Sequence, residues 1–224
     1  MKVKVALHNL GCKVNAYELE AMEQMLKNAG YEVVPFAPGA DIYIINTCTV
    51  TNIADRKSRQ MLHKAKKMNP EAIVVAAGCY VQAQKDAEQM DDAIDIVLGN
   101  NKKQDLIEIL EQYRKENGQK QEIIDLKEPV EYEELKLSST GEHTRAYLKV
   151  QDGCNQFCSY CIIPYVRGRV RSRKKEEVVE EVKRLVANGY QEFVLTGIHL
   201  SSYGVDCEEA LLSLIQAVQA VEGV

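Results

Sequence analysis

Apolar and polar positions recur along the first hundred residues in two alternating periods, and each switch marks an element. Val3 to Leu7 is an apolar run that reads as a buried strand. From Asn15 to Asn28 the residues Ala16, Leu19, Met22, Met25 and Leu26 recur at helical spacing, and Gly30 is placed to cap that helix. Tyr31 to Val34, Asp41 to Asn46 (with Ile42, Ile44 and Ile45), Ala72 to Ala77 and Ile94 to Leu98 read as further strands. Helices are expected from Ile53 to Met68, which ends before Pro70, from Gln82 to Met90 and from Asn101 to Glu116. Strands alternating with amphipathic helices predict an α/β fold, an open parallel sheet with flanking helices.

The pattern breaks between 117 and 143. Glu128 to Glu134 is acidic around Pro129, and Leu137 to Glu142 is small and polar, so the segment reads as an interdomain connector in which Ile123, Ile124 and Leu126 form one edge strand. Beyond it come a strand (Arg145 to Val150), a helix (Lys174 to Asn188), a strand (Glu192 to Leu195) and a helix from about Cys207 to Val221. That order is two βα units, too few to close a barrel. The expected division is therefore 1–116, a connector at 117–143, and a truncated second domain at 144–224.

Composition narrows the class. Over 224 residues, 46% hydrophobic and 27% charged content is that of a globular protein, and no apolar stretch approaches a membrane span. Seven Cys without an apolar signal region imply a reducing, cytoplasmic setting in which thiols stay available for metal. A net charge of −5 means that any RNA contact has to come from a local basic patch.

The densest chemistry is in Asp152-Gly153-Cys154-Asn155-Gln156-Phe157-Cys158-Ser159-Tyr160-Cys161. Thiolates at this spacing on one short loop can converge on one face of an iron–sulfur cube and leave one iron open to a substrate. Zinc is the competing ligand, although a zinc site usually recruits a fourth Cys or His at comparable spacing and none follows Cys161 closely. A second set is dispersed: Cys12, Cys48 and Cys79 each lie just past the end of an expected strand, on the edge where open α/β sheets build their crevices. Buried structural cysteines, or a three-thiolate zinc site, are the alternatives there. Cys207 lies off every motif and reads as incidental. His199 follows a strand end and fits either a pocket or a structural hydrogen bond, while His8, His63 and His143 point to no role. The run Arg167, Arg169, Arg171, Arg173, Lys174, Lys175 is a local basic patch that suits phosphate or a cofactor carboxylate, or is a solvated helix entrance balanced by Glu176 and Glu177, and Arg56, Lys57 and Arg59 carry the same ambiguity.

The motifs then carry a resemblance. Leu10-Gly11-Cys12-Lys13-Val14-Asn15, Asn46 to Asn52 and Gly78-Cys79-Tyr80 resemble the N-terminal domain of the tRNA methylthiotransferases. Cys154 to Pro164, Arg167-Gly168-Arg169, and Thr196 to His199 with Tyr203-Gly204 resemble the start of their radical S-adenosylmethionine domain. Lys13-Val14-Asn15 and Thr49-Val50-Thr51-Asn52 look like the branch acting on threonylcarbamoyladenosine; sister branches act on isopentenyladenosine in tRNA or on a ribosomal protein.

What the resemblance implies is specific. The second domain is the first two βα units of a radical-SAM partial barrel. Two 4Fe-4S clusters are expected, one on Cys154, Cys158 and Cys161 and one on Cys12, Cys48 and Cys79, together with S-adenosyl-L-methionine. Tyr160 corresponds to the aromatic position beside the adenine, and Thr196 and Gly197 to contacts of the methionine moiety. Arg167, Arg169, Arg171 and Arg173 are candidates for RNA contact. The implied reaction inserts a methylthio group at C2 of the modified adenine beside the anticodon, with tRNA and an electron donor such as a flavodoxin or ferredoxin as partners and no membrane. Full members continue into a larger barrel and a small RNA-binding β-domain, so this chain alone is expected to turn over poorly. A silent iron–sulfur binding module and, more weakly, a zinc-dependent RNA-binding protein are the readings from other classes.

Overall fold

Each strand of the first unit is short and most are followed by a helix, and together they form a six-stranded sheet that is parallel at every pairing, in the order β2-β1-β3-β4-β5-β6. A computed structural model describes residues 2–84, 91–116, 120–126, 130–137 and 145–224, and these fall into two compact units divided between Asp125 and Leu126. The first contains β1 (Lys4–Asn9), α1 (Lys13–Asn28), β2 (Glu32–Val34), β3 (Ile42–Thr47), α2 (Asn52–Met68), β4 (Ile73–Gly78), α3 (Cys79–Ala83), β5 (Ile96–Leu98), α4 (Leu106–Glu116) and β6 (Lys120–Glu122).

Both faces of this sheet are covered. On one, Ala6, Tyr43, Ile45, Val74 and Ala76 pack with Leu62 and Ala65 of α2. On the other, Val5, Ile42, Ile44, Val75 and Ile96 meet Met22 and Leu26 of α1 and Leu106 and Leu110 of α4. Double cover is why β3 is apolar at successive positions rather than alternate ones. Each such buried aliphatic contributes about 1.5–3 kcal/mol.

Two expectations shift. The edge strand is not at Ile123 to Leu126 but at Lys120–Glu122, whose polar sequence hides it. An edge strand needs only the backbone ladder to one neighbour, here Ile96 beside Lys120. The helix expected at Gln82 begins at Cys79, directly on the end of β4, and 85–90 lie outside the described residues.

The second unit is built on β7 (Ala146–Asp152), with β9 (Phe193–Gly197) parallel on one side and the two-residue β8 (Arg171–Ser172) antiparallel on the other. Its helices are α5 (Ile163–Val166), α6 (Lys175–Ala187) and α7 (Leu211–Gln219). Ala146, Leu148 and Val150 pack under Val178, Val182 and Leu185 of α6 and Leu214 and Val218 of α7. The two βα units are β7 to α6 and β9 to α7; β8 is an addition that no periodicity announced. Part of the acidic stretch packs on this unit: Leu135 and Leu137 are buried, and the Tyr132 hydroxyl donates to the Lys149 carbonyl at 2.7 Å. Among the described residues no helix is long and apolar enough to cross a membrane.

Candidate metal centres

Cys12, Cys48 and Cys79 follow β1, β3 and β4, three adjacent strands of one parallel sheet. Neighbouring strands lie about 4.8 Å apart, so the outer two of these strands are roughly 10 Å from one another. Register aligns the ends further. Thr47 pairs with Gly78, so Cys48 and Cys79 leave the sheet at the same level, and Asn9 pairs with Asn46, which brings Cys12 to the same edge. Cys48 and Cys79 are buried while Cys12 is exposed at the N-cap of α1, and all three are free thiols.

The strand ends are stitched together by side chains that the motifs supply. Asn15 Nδ2 donates to the Thr47 carbonyl (3.1 Å) and Asn46 Nδ2 to the Asn15 carbonyl (2.9 Å). Thr47 Oγ1 donates to the Ala77 carbonyl and accepts from the Tyr80 amide. Ser58 of α2 accepts from the Cys48 amide (3.1 Å) and donates to its carbonyl (2.9 Å). Cys12 Sγ donates to Asn15 Oδ1 (3.2 Å), and Asn100 Nδ2 donates to Cys79 Sγ (3.5 Å). Gly78, at φ +95°, allows the close approach: a Cβ there would lie 2.6 Å from Asn46 Oδ1. Asn9 Oδ1 and Asn46 Oδ1 are buried at this edge without a hydrogen-bond partner. Three free thiols on one edge, beside orphaned polar atoms, suit an iron–sulfur group better than a packed apolar core, where unsatisfied polar atoms are costly.

The other three cysteines share one loop after β7. Gly153, at φ +72°, turns the chain against the segment around Arg169; a Cβ there would sit 1.9 Å from the Arg169 carbonyl oxygen. The Cys154 amide donates to the Gly168 carbonyl (3.0 Å), Asn155 Oδ1 accepts from the Val170 amide (3.1 Å), and the Cys161 amide donates to the Cys158 carbonyl (2.9 Å). Phe157 adopts φ +47°, a conformation costly for a bulky residue, between Cys154 and Cys158. Cys154 and Cys161 are half-buried, and Cys158 and Tyr160 are exposed, Tyr160 at 91%. A pinned backbone carrying three free thiols on one short loop fits a cluster with an open iron. Among the described residues, no three His, Cys, Asp or Glu side chains gather tightly enough for a single metal ion.

Gln151 ties this loop to the end of β9, a role its sequence position inside an apolar strand only hinted at. Its Nε2 donates to the Asp152 and Gly153 carbonyls (both 2.7 Å), and its Oε1 accepts from the His199 amide (2.8 Å). Gly197 faces it so closely that a Cβ would lie 2.7 Å from Gln151 Oε1, and Thr196 is buried beside Lys149. His199 Nδ1 sits 2.6 Å from Ser202 Oγ, a local turn contact.

The arginine run requires correction. Arg167, Arg171 and Arg173 are 1%, 4% and 0% exposed, so three of the four candidates for RNA contact are held inside the second unit. Arg167 and Arg171 converge with Lys149 on the buried carboxylate of Asp152, at 3.3, 3.5 and 2.7 Å. Arg173 bridges Glu134 and Glu181, both at 2.9 Å. A guanidinium buried in an ion pair cannot meet phosphate without breaking that pair. Of the four arginines only Arg169 is exposed, its guanidinium 4.5 Å above the Phe157 ring; Lys174 is also exposed, while Lys175 pairs with Glu209. Cys207 is exposed; partial burial and the Asp206 and Glu209 carboxylates push its thiol pKa up, away from thiolate chemistry.

Residues 4–99 match the profile of the Uncharacterized protein family UPF0004, and residues 148–219 that of the Radical SAM superfamily. Threonylcarbamoyladenosine tRNA methylthiotransferase MtaB of Bacillus subtilis is 45% identical over 92% of this chain and 46% of its own length. The Aquifex aeolicus protein of that name is 42% identical over 99% of this chain and 54% of its own. The chain carries a UPF0004 domain followed by a Radical SAM domain, and over most of its length it is similar to tRNA methylthiotransferases. It spans about half the length of these relatives. A tRNA-2-methylthio-N(6)-dimethylallyladenosine synthase of Moorella thermoacetica is 35% identical over 95% of this chain and 49% of its own. Among solved structures, the radical S-adenosylmethionine methyltransferase TsrM of Kitasatospora setae matches with a TM-score of 0.64 at 17% identity, over 96% of this chain and 52% of that one; this likeness is one of fold alone.

Proposed function

We propose that the chain is the cluster-bearing part of an enzyme that inserts a methylthio group at C2 of N6-threonylcarbamoyladenosine in tRNA. The observation that carries the reading is the pair of cysteine sets, each on the carboxyl side of a parallel strand: Cys12, Cys48 and Cys79 at the ends of β1, β3 and β4, and Cys154, Cys158 and Cys161 on the loop after β7. Each set offers three thiolates to a 4Fe-4S cluster and leaves one iron free. When bound, the clusters and S-adenosyl-L-methionine would supply the radical that activates a C–H bond, an iron to hold the sulfur to be inserted, and the methyl group.

The chain's own residues hold and orient. The hydrogen bonds to the Gly168 carbonyl and from the Val170 amide fix the cysteine loop, and Gln151 fixes its start against the β9 end, where Thr196 and Gly197 line the place for the methionine moiety. Tyr160, uncovered, is available to stack on adenine. In the first unit, Asn15, Asn46, Thr47 and Ser58 keep the strand ends, and so the second set of thiols, in one arrangement. An electron donor such as a flavodoxin or ferredoxin completes the scheme.

Lys13-Val14-Asn15 and Thr49-Val50-Thr51-Asn52, with the MtaB-named relatives, favour the threonylcarbamoyladenosine branch. The dimethylallyladenosine synthase at 35% identity is the observation behind the second reading, the isopentenyladenosine branch. Mass spectrometry of nucleosides from tRNA of a strain lacking the enzyme separates them. A version extended past Val224 should restore the methylthio derivative of threonylcarbamoyladenosine, with little or none from this chain alone. Restoration of the isopentenyladenosine derivative instead overturns the branch, and no methylthio nucleoside with the extended version overturns the activity.

A further inference from the structure

With Arg167, Arg171 and Arg173 committed to the interior, the basic surface of this acidic chain lies elsewhere. Helix α2, 17 residues long, carries Arg56, Lys57, Arg59, Lys64, Lys66 and Lys67 against one acid, Asp55. Helices α1, α4 and α6 each carry more acids than bases. Ser58, Leu62 and Ala65 turn inward, while Arg56, Arg59, Gln60, His63, Lys64 and Lys67 recur at three- and four-residue spacing and share a shallow outer surface. Lys66 is spent on Asp95 (2.8 Å) and His63 is paired with Asp91 (3.0 Å). Among the described residues, no carboxylate pairs with Arg56, Arg59, Lys64 or Lys67, and all four are exposed.

We infer that the outer face of α2 is a track for the phosphate backbone of the RNA substrate. The inference rests on tRNA being the substrate. From Arg56 to Lys67 the stripe runs roughly 16 Å at 1.5 Å per residue, a length that takes in two or three successive phosphates. Its position gives the track a direction. Helix α2 begins at Asn52, four residues past Cys48, and Ser58 on its inner face holds Cys48 through two hydrogen bonds. The same helix therefore positions a candidate cluster ligand and presents the cations, so RNA lying along it leads toward the first unit's cysteine edge. Between Arg56 and Lys67 the helix carries no acid of its own, whereas a purely solvating face would carry both signs, as α6 does.

The experiment is fluorescence anisotropy of a labelled anticodon stem-loop RNA with this chain across a salt series. The variant is Arg56→Gln, Arg59→Gln, Lys64→Gln and Lys67→Gln together; the control neutralises four other exposed lysines, Lys27, Lys115, Lys136 and Lys183. With a slope of about 0.7 per phosphate contact on single strands, loss of three contacts lowers the salt slope by about 2 and weakens binding roughly 50-fold at 0.15 M salt. The control should move far less. A variant retaining charge, Arg56→Lys with Arg59→Lys, should keep the slope, which separates charge from folding. Equal losses in variant and control, an unchanged slope in the variant, or no RNA binding by the unaltered chain would overturn the track. None of those outcomes touches the methylthiolation reading, which the nucleoside measurement tests on its own.

Discussion

Replacing Asp152 by Asn removes one charge and almost no volume from the centre of the second unit. The carboxylate is buried with Lys149 at 2.7 Å, Arg167 at 3.3 Å and Arg171 at 3.5 Å, and its Oδ1 accepts from the Gly153 amide at 2.8 Å. At an effective dielectric of about 20, each contact of this length is a gross attraction of roughly 5 kcal/mol, most of it offset by desolvation. The amide keeps the bond from Gly153 but withdraws the carboxylate that three buried cations share, a change that costs about 3–5 kcal/mol. Against a domain stability of about 5–15 kcal/mol that is a large share. Hydrogen exchange read by mass spectrometry on the metal-free chain reports the second unit selectively. A loss near 4 kcal/mol lowers protection of β7 and α6 amides about a thousandfold. Adding Lys149→Met should recover part of it, because one stranded cation is gone. Protection within threefold of the unaltered chain across 145–224 would refute the claim that Asp152 anchors a buried cationic cluster.

Gly78→Ala places a Cβ at φ +95°, 2.6 Å from Asn46 Oδ1 and 2.7 Å from the Thr47 carbonyl oxygen. About 1–2 kcal/mol of backbone strain and a further 1–3 kcal/mol of forced displacement are expected, read by urea unfolding; a change under 1 kcal/mol refutes the close packing of β3 on β4. Burial, then Lys64, holds the His8 imidazole below its ordinary value of 6.5. The unfolded chain then binds the proton more readily, so this contribution to stability is present above pH 6.5 and lost as pH falls through the folded value. Proton NMR should give His8 a midpoint below 6.5, and His8→Gln should flatten the fall in stability on the acid side. A midpoint at or above 6.5 contradicts the burial.

Local signals announced most strands and helices because each carries its own information: Ile42 to Ile45 is a buried run, and α2 opens where Thr51 caps it through the Ala54 amide. The cysteines were legible for two different reasons, spacing on one loop and recurrence after strand ends. What stayed hidden depends on partners far along the chain. Arg167, Arg171 and Arg173 read as a surface patch because the acids that bury them, Asp152, Glu134 and Glu181, lie 8 to 39 residues away. Glu134 itself sat in a stretch whose composition reads as linker. The strand Lys120–Glu122 has no apolar pattern at all, since the ladder to Ile96 through Leu98 defines it.

The central claim is that this chain holds two separate 4Fe-4S clusters on two three-cysteine sets. Iron and acid-labile sulfide, measured after anaerobic reconstitution, test it most directly. About eight irons and eight sulfides per chain are expected, falling to about four of each when Cys154, Cys158 and Cys161 are changed to Ala and again to about four when Cys12, Cys48 and Cys79 are changed instead. Stoichiometric zinc in place of iron, or a full complement retained after either triple change, would contradict it.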